Sequence, residues 1–421
     1  MGKSKTAAGK LAIEGGPKVR PTPFPPRRLF GKAEKAAAVR VFDAAIRSGN
    51  AFGYNGPEQK AYEAEFAAWL GGGRAVAVSS GTTAVFCALG GLGLDVAREV
   101  VIPPITDPGG AMPVPMLNLV PVVADAAPGS FNTGAEQIAA VLSERTAAII
   151  VAHIAGEPAD MGPIMMLARA RGGIPVIEDV AQAHGARYKG RLAGTFGDIA
   201  VFSTMFGKHH ATGAQGGVVF TRDQELGWRI KRFSDRGKPF NLPAAQGNVV
   251  MGLNCNQNDL AAAIGRVQLK KLPGIVAKRR RLAAAIRKGL KPLQAVSLAP
   301  EPPGTEPVYW FLRMRVDGSR LRVDKQAFAE AVAAEGLPVD ARYSQPISRA
   351  PWFAGRQTYG KSGCPWTCPL YRGDPRRDFP CPNAQETADS NFVIYFHEGY
   401  GPREVRDIVA ALAKVERAYL A

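Results

Sequence analysis

Val176-Ile177-Glu178-Asp179-Val180-Ala181-Gln182-Ala183-His184-Gly185, followed by Phe202-Ser203-Thr204-Met205-Phe206-Gly207-Lys208-His209-His210-Ala211-Thr212-Gly213-Ala214-Gln215-Gly216-Gly217, is the stretch on which the fold turns. Each part is a short apolar run that stops at reactive residues. The first ends in an acid, and the second in a serine and then a lysine 29 residues beyond Asp179. Continuous apolar runs of this length belong to strands buried on both faces of a mostly parallel sheet. The pattern therefore predicts a carboxylate and an amine at the ends of two strands of one sheet.

The same pattern repeats on either side. Between 74 and 222, apolar runs at 75–78, 100–102, 120–124, 148–152, 175–177, 199–202 and 218–220 alternate with helical segments, which predicts a large α/β domain. Upstream, apolar positions recur at helical spacing from Ala33 to Leu70, interrupted by Gly53-Tyr54-Asn55-Gly56-Pro57, so two helices joined by a turn are expected. Downstream, 258–290 reads as a long helix broken near Pro273, 308–316 as a strand, 324–336 as a helix, 391–396 as a strand and 402–419 as a helix. Pro21, Pro23, Pro25 and Pro26 among basic residues predict an extended arm lying over a neighbouring surface. The expected organisation is an arm over 1–32, a large α/β domain over 33–274 and a small C-terminal α+β domain over 275–421.

With 421 residues, 46% of them hydrophobic, the chain can bury a large core. No apolar stretch approaches the ~18 residues of a membrane span, and Met1-Gly2-Lys3-Ser4-Lys5 is not followed by the apolar core of a secretion signal. A cytoplasmic protein without a membrane partner is expected. The net charge of +17 raises nucleic acid as a partner. Its densest run, Lys278-Arg279-Arg280-Arg281, lies in a helical pattern and reads as a solvated helix face, and no nucleic-acid-binding motif accompanies it. Cys87, Cys255, Cys364, Cys368 and Cys381 do not form a disulfide framework and are expected to be reduced. Cys364, Cys368, Cys381 and His397 are too irregularly spaced for a zinc site, so no metal is expected.

Lys208 and Asp179 together match the needs of pyridoxal 5'-phosphate, which requires an amine to hold its aldehyde as a Schiff base and a carboxylate to keep its ring nitrogen protonated. A carboxylate ending so apolar a strand calls for a positively charged partner; the plainer reading is an Asp capping a helix that starts near Val180. Ser79-Ser80-Gly81-Thr82-Thr83-Ala84 follows one predicted strand and opens the helical segment 84–92. Helix-start amides, hydroxyls and a glycine that permits close approach suit a phosphate; the plainer reading is helix capping. His184 reads as a structural histidine, and His209 and His210 as residues lining the pocket beside the lysine.

The order acid, Gln, Ser, Lys and Gly-rich exit, together with Ser79 to Ala84, His153 to Met161 and Gly252-Leu253-Asn254, resembles the DegT/StrS family of sugar aminotransferases from about Leu11 to the C-terminus. The resemblance implies a fold-type-I enzyme, with a large mostly parallel-sheet α/β domain holding the cofactor, a small C-terminal domain closing over it, and a homodimer. It implies phosphate contacts from Gly81, Thr82 and Ser203, Asp179 as partner of the ring nitrogen, Gln182 near the phenolic oxygen of the ring, and Lys208 as the Schiff-base lysine that carries protons. Asn254 would reach the phosphate of the partner subunit, so that active sites are shared. The implied reaction passes an amino group from glutamate or glutamine to a nucleotide-linked keto-sugar or a free keto-cyclitol. The opening Leu11 to Arg20 resembles the branch that includes cyclitol and aminobenzoate-precursor enzymes. Two other functions go with the same fold: a non-catalytic sugar-binding regulatory protein, and a pyridoxal phosphate-dependent sugar dehydratase, in which another residue would replace Lys208. The chain departs from the pattern at Cys255-Asn256, in place of Tyr-Arg, at Ala214-Gln215, in place of a Glu and with one extra residue, and at Met205, in place of a frequent histidine. Thr106-Asp107-Pro108-Gly109 stands where many relatives have an aromatic that stacks on the ring, so Thr106 or Asp107 is expected to cover the ring's outer face.

Overall fold

The computed structural model describes residues 10–343 and 345–421. The strands β1 (Arg74–Val78), β2 (Glu99–Ile102), β3 (Val120–Val123), β4 (Thr146–Ala152) and β5 (Val176–Asp179) are followed by a small hairpin, β6 (Arg187–Tyr188) and β7 (Arg191–Leu192), and then by β8 (Ile199–Ser203) and β9 (Gly217–Thr221). Apart from the hairpin these form one seven-stranded sheet in the order β1-β9-β8-β5-β4-β2-β3. Pairs from β3 across to β8 are parallel, whereas β9 runs antiparallel to both β8 and β1. The strands β2, β3, β5, β8 and β9 are buried along their whole length, which is why their sequences are continuously apolar rather than alternating. All seven predicted runs are strands.

Two helices precede the sheet, Lys32–Ser48 and Pro57–Trp69. After it, the helix Asp259–Leu290 starts at Asn258, whose side chain accepts from the Ala261 amide. This helix is continuous, contrary to the expected break at Pro273. Pro273 lies on the exposed face, while Leu269, Leu272, Ile275 and Val276 around it are buried. The missing hydrogen bond therefore falls on the side open to water, and packing on the other side holds the helix together. The expected boundary at 274/275 falls inside this helix. Ala262, Leu269 and Leu272 join the core beneath the large sheet, and Leu282, Ala283, Ile286 and Leu290 join a second core.

That second core belongs to a four-stranded antiparallel sheet made of β10 (Val296–Leu298), β12 (Leu312–Val316), β13 (Val339–Asp340) and β14 (Asn391–Ile394), in the order β10-β12-β14-β13. The intervening β11 (Thr305–Glu306) pairs with the β6 hairpin instead. The helices Lys325–Ala334 and Pro402–Tyr419 supply Phe328, Val332, Ile408 and Leu412 to this core. The strand expected from Val308 begins only at Leu312. Tyr309 has φ 50, and the Val308 and Trp310 amides bond to the Gly156 and Ala155 carbonyls rather than to a neighbouring strand. The described part of the arm packs on its own chain, mostly on the small domain and, through Arg27, on the loop at Gly207 and Lys208. Leu11 is buried in the second core, and Arg20 pairs with Glu404 at 3.1 Å and Asp407 at 2.7 Å. Residues 1–9 of the expected arm lie outside the described residues. Between the two bodies, Arg313 on β12 pairs with buried Glu157 at 3.0 Å. Among the described residues no helix is long and apolar enough to cross a membrane.

Candidate active site

Because β1, β5 and β8 point the same way, their C-terminal ends share one edge of the sheet, where ligands of open α/β folds collect. A cavity of about 260 Å³ lies there, lined by Ser80, Gly81 and Thr82 after β1, Asp107, Gly109 and Gly110 after β2, Asp179 at the end of β5, Ser203 at the end of β8, and Lys208 and Gln215 from the excursion between β8 and β9. The loop bearing Lys208 is closed at its neck. The Thr204 amide donates to the Gly216 carbonyl at 2.8 Å, the Thr212 amide to the Thr204 carbonyl at 3.0 Å, and the Thr204 and Thr212 hydroxyls meet at 2.7 Å.

Ser80 caps the helix Gly81–Leu92 by accepting from the Thr83 amide at 3.1 Å. Capping and anion binding are compatible here, because the cap uses the third amide and leaves the Gly81 and Thr82 amides without acceptors among the described residues. A Cβ on Gly81 would come 2.6 Å from the Ser203 Cβ, so the glycine lets the helix start lie directly against Ser203. These amides and the Ser203 hydroxyl make an anion cradle.

Asp179 is 9% exposed. Its Oδ1 accepts from the Ala181 amide at 3.0 Å, and its Oδ2 receives no hydrogen bond among the described residues. Burial pushes its pKa up, against the Ala181 amide and the Lys208 charge, which lower it. It does not cap a helix; the chain after β5 turns without one. Its neighbour Glu178 points to the other side, where it accepts from the Gly194, Phe196 and Gly197 amides and meets His153 at 3.1 Å. Burial raises the Glu178 pKa, but His153 and these amides outweigh it and hold the group below its ordinary value. Lys208 is 6% exposed, and burial brings its pKa down to about 8 against the upward pull of Asp179 and Asp107. Its Nζ lies 3.9 Å from the centre of the Trp310 ring and has no hydrogen bond or ion pair among the described residues.

A second cavity of about 430 Å³ adjoins the first at Asp107 and is lined by Thr106, Pro108, Gln182, Trp310, Tyr343, Ile347 and Arg349, among others. Gln182, expected near the cofactor ring, lines this second cavity and not the first. Its Oε1 accepts from the Ala155 amide at 2.8 Å, and its Nε2 donates to the Tyr343 hydroxyl at 3.2 Å. Of the two residues expected on the outer face, Asp107 lines both cavities, whereas Thr106 lines only the second. Trp310 and Tyr343 are not foreseen from the sequence. An aromatic run at Tyr309-Trp310-Phe311 is the one signal for the first, and nothing local marks the second.

His209 and His210 do not line the pocket, contrary to expectation. Both are fully buried behind the lysine loop. His210 meets the Tyr62 hydroxyl at 2.6 Å and His209 the Val308 carbonyl at 3.1 Å, because the loop turns their rings inward against Phe66 and His184. Burial takes His210 down to about 3 and holds His184 and His209 well below the ordinary imidazole value. His184 is also buried, with neither ring nitrogen partnered among the described residues. Asn254 lies outside this cavity. It is exposed, its Oδ1 accepts from the Asn256 side chain at 2.8 Å, and its backbone bridges to Asp235. The five cysteines are free, and among the described residues no group of three His, Cys, Asp or Glu side chains could hold a metal.

The chain and its fold are similar to those of known proteins. L-glutamine:2-deoxy-scyllo-inosose aminotransferase of Streptomyces paromomycinus is 31% identical over 432 aligned positions, covering 97% of this chain and 97% of that protein. dTDP-3-amino-3,4,6-trideoxy-alpha-D-glucose transaminase of Streptomyces venezuelae is 31% identical over 300 positions, 71% of this chain and 76% of that one. Among solved structures, the aminotransferase TlmJ from Streptoalloteichus hindustanus superimposes with a TM-score of 0.77 at 29% identity, over 92% of this chain and 97% of that one. A family model matches residues 32–374, and the chain belongs to the DegT/DnrJ/EryC1/StrS aminotransferase family.

Proposed function

We propose that this aminotransferase uses pyridoxal 5'-phosphate to move an amino group from glutamine or glutamate to a keto-cyclitol, with a nucleotide-linked keto-sugar as the second reading. The observation that carries the proposal is the convergence, around one cavity, of a buried amine, a buried carboxylate and an anion cradle. When bound, the cofactor supplies an aldehyde that takes up amino groups and a ring that withdraws electrons from the carbon bearing them. Gly81, Thr82 and Ser203 would bind its phosphate through the two unused amides and the hydroxyl. Asp179, whose Oδ2 receives no hydrogen bond among the described residues and whose burial favours a charged partner, would hold the proton at the ring nitrogen. Lys208 would hold the aldehyde carbon and, once displaced, carry a proton at Nζ between donor and cofactor carbons; a pKa of about 8 suits an amine that must both take and give it. Asp107 and the Gly109-Gly110 backbone would lie against the ring, and the second cavity would take the keto substrate.

The full-length similarity to glutamine-dependent keto-cyclitol aminotransferases supports the cyclitol first. The shorter similarity to a nucleotide-sugar transaminase supports the alternative. A homodimer in the cytoplasm, with Asn254 serving the partner's site, completes the reading. Exposed apolar side chains beside it, Met251 at 90% and Leu253 at 59%, support contact with a second copy.

Borohydride reduction followed by peptide mass spectrometry should find the cofactor on Lys208, and Lys208→Ala should abolish that adduct while the protein stays folded. Loaded enzyme is then mixed with glutamine or glutamate and with panels of keto-cyclitols and nucleotide-linked keto-sugars. Amine formed from cyclitols is expected. Amine formed only from nucleotide-linked sugars would move the assignment to the second reading, and an adduct on another lysine would remove the central residue.

A further inference from the structure

Lys208 hangs from a loop outside the sheet, so its amine can be placed only as well as that loop is held. Its own amide donates to the Met205 carbonyl at 2.9 Å, which forms a turn but ties it to nothing beyond the loop. The wider anchorage comes from elsewhere. Arg27 Nη1 donates to the Lys208 carbonyl at 2.8 Å and to the Gly207 carbonyl at 3.1 Å. The Gly207 carbonyl also accepts from Trp310 Nε1 at 3.3 Å, and it is the ring of that tryptophan that lies against Lys208 Nζ. The backbone of the lysine and the aromatic face under its amine therefore share one anchor.

Arg279, almost wholly buried, holds the tryptophan segment from its other side by donating to the Tyr309 carbonyl at 2.8 Å and the Trp310 carbonyl at 3.2 Å. Glu398 joins the two arginines. Its Oε1 accepts from Arg27 Nε at 2.8 Å and its Oε2 from Arg279 Nε at 2.8 Å. Arg27 comes from the arm, Arg279 from the helix that crosses between domains, and Glu398 from the small domain after β14. Charge-assisted bonds of this kind are short and directional, and a rigid guanidinium fork can hold a carboxylate and two carbonyls at once where an ammonium cannot. We propose that Arg27, Glu398 and Arg279 are positioning residues, a clamp that sets Lys208 and Trp310 for amino transfer and makes the arm and the small domain part of the active-site framework. The inference rests on the reading of Lys208 as the cofactor-bearing lysine.

The test uses the protein without cofactor, so that its readout does not depend on turnover. Reductive methylation with formaldehyde and cyanoborohydride is followed across pH, with the extent at Lys208 read by peptide mass spectrometry. Asp179 and Asp107 raise the pKa of this amine and buried His184 lies close to it, none of them altered in the variants, whereas Arg27 and Glu398 bring charges of opposite sign behind the loop. Loosening the clamp lets water reach Nζ, so in Arg27→Ala and Glu398→Gln the midpoint should rise from about 8 toward the ordinary lysine value. Glu398→Gln is the sharper of the two, because loss of a negative charge would by itself lower the midpoint. In the loaded enzyme both variants should lose on the order of 10-fold to 100-fold in kcat, as expected when a reacting group is misplaced, with little change in donor KM. Arg27→Lys should recover part of both effects.

Circular dichroism establishes that each variant is folded. Glu398→Gln and Arg27→Lys, which keep the side-chain bulk, carry the test if Arg27→Ala does not fold. Folded variants whose Lys208 midpoint stays at the wild-type value overturn the clamp, whatever happens to kcat. Borohydride reduction of the loaded wild type is read separately. An adduct on another lysine overturns the reading of Lys208, whereas an adduct on Lys208 with unmoved midpoints overturns the clamp alone.

Discussion

The amine of Lys208 is subject to opposing influences: burial lowers its pKa, and Asp179 and then Asp107 raise it, leaving it at about 8. Asp179→Asn removes the larger upward influence, so in protein without cofactor the midpoint for methylation of Lys208 should fall below the wild-type value. The same variant should still bind cofactor but lose on the order of 10²-fold in the half-reaction with the amino donor, because an amide cannot hold the proton at the ring nitrogen. A near-normal single-turnover rate would mean that another group faces that nitrogen. The sign for stability follows from the same shift. The folded amine binds fewer protons than the unfolded one between about 8 and ~10.4, so its burial is most destabilising below that window and the penalty fades as pH rises through it. The histidines act at the other end of the scale. His184, His209 and His210 have depressed values when folded, so stability is full above ~6.5 and declines as pH falls below it, toward about 3 for His210. Among the described residues His184 has no partner for either ring nitrogen, and His184→Leu should therefore lessen the drop in Tm between pH 7 and pH 5. An unchanged drop in thermal melts would assign the acid sensitivity to other groups.

The helix start at Gly81 shows how one element builds half of a binding site. The Cβ of Gly81→Ala would meet Ser203 Cβ at 2.6 Å and Oγ at 3.0 Å, so either the helix moves away from β8 or Ser203 is displaced. Overpacking of this kind typically costs about 1–3 kcal/mol, and a tenfold loss of affinity corresponds to about 1.4 kcal/mol. Cofactor titration of Gly81→Ala should show binding weaker by roughly tenfold or more; binding equal to wild type would mean that this helix start is not the phosphate cradle. The strands around the cradle are legible in the sequence because they are buried on both faces and so must be apolar without interruption. Asp179 and Ser203 stand out as the polar residues that end such runs. Val308 to Phe311 looks like the start of β12 for the same reason, yet a positive φ at Tyr309 and hydrogen bonds to 155–156 keep it irregular. That irregularity puts Trp310 against Lys208. Pro273 misleads in the opposite direction, since packing from two cores keeps its helix whole. Arg27 and Tyr343 carry no local mark at all. Each reaches the site only through tertiary structure, Arg27 from 180 residues before Gly207 and Tyr343 from 161 residues after Gln182.

At the scale of the whole molecule, Asn254 is where the proposed assembly is most exposed to test. It lies outside its own chain's cavity, on a surface whose neighbours Val249, Val250, Met251 and Leu253 are exposed apolar side chains. If Asn254 reaches the phosphate in a second copy, each site takes its lysine from one subunit and its asparagine from the other. Lys208→Ala removes the amine, and Asn254→Asp places a negative charge against the phosphate, so each variant alone should be nearly inactive. In a mixed dimer one site receives both damaged residues and the other receives neither. Mixing the two should therefore restore activity approaching one intact site per heterodimer, provided subunits exchange, which a pull-down with two different tags establishes. Asn254 in its own subunit's site would give the opposite result, because each site in the mixed dimer would then carry one lesion. With exchange shown and Asn254→Asp inactive alone, an absence of recovered activity would assign Asn254 to its own subunit and remove the shared site from the proposal.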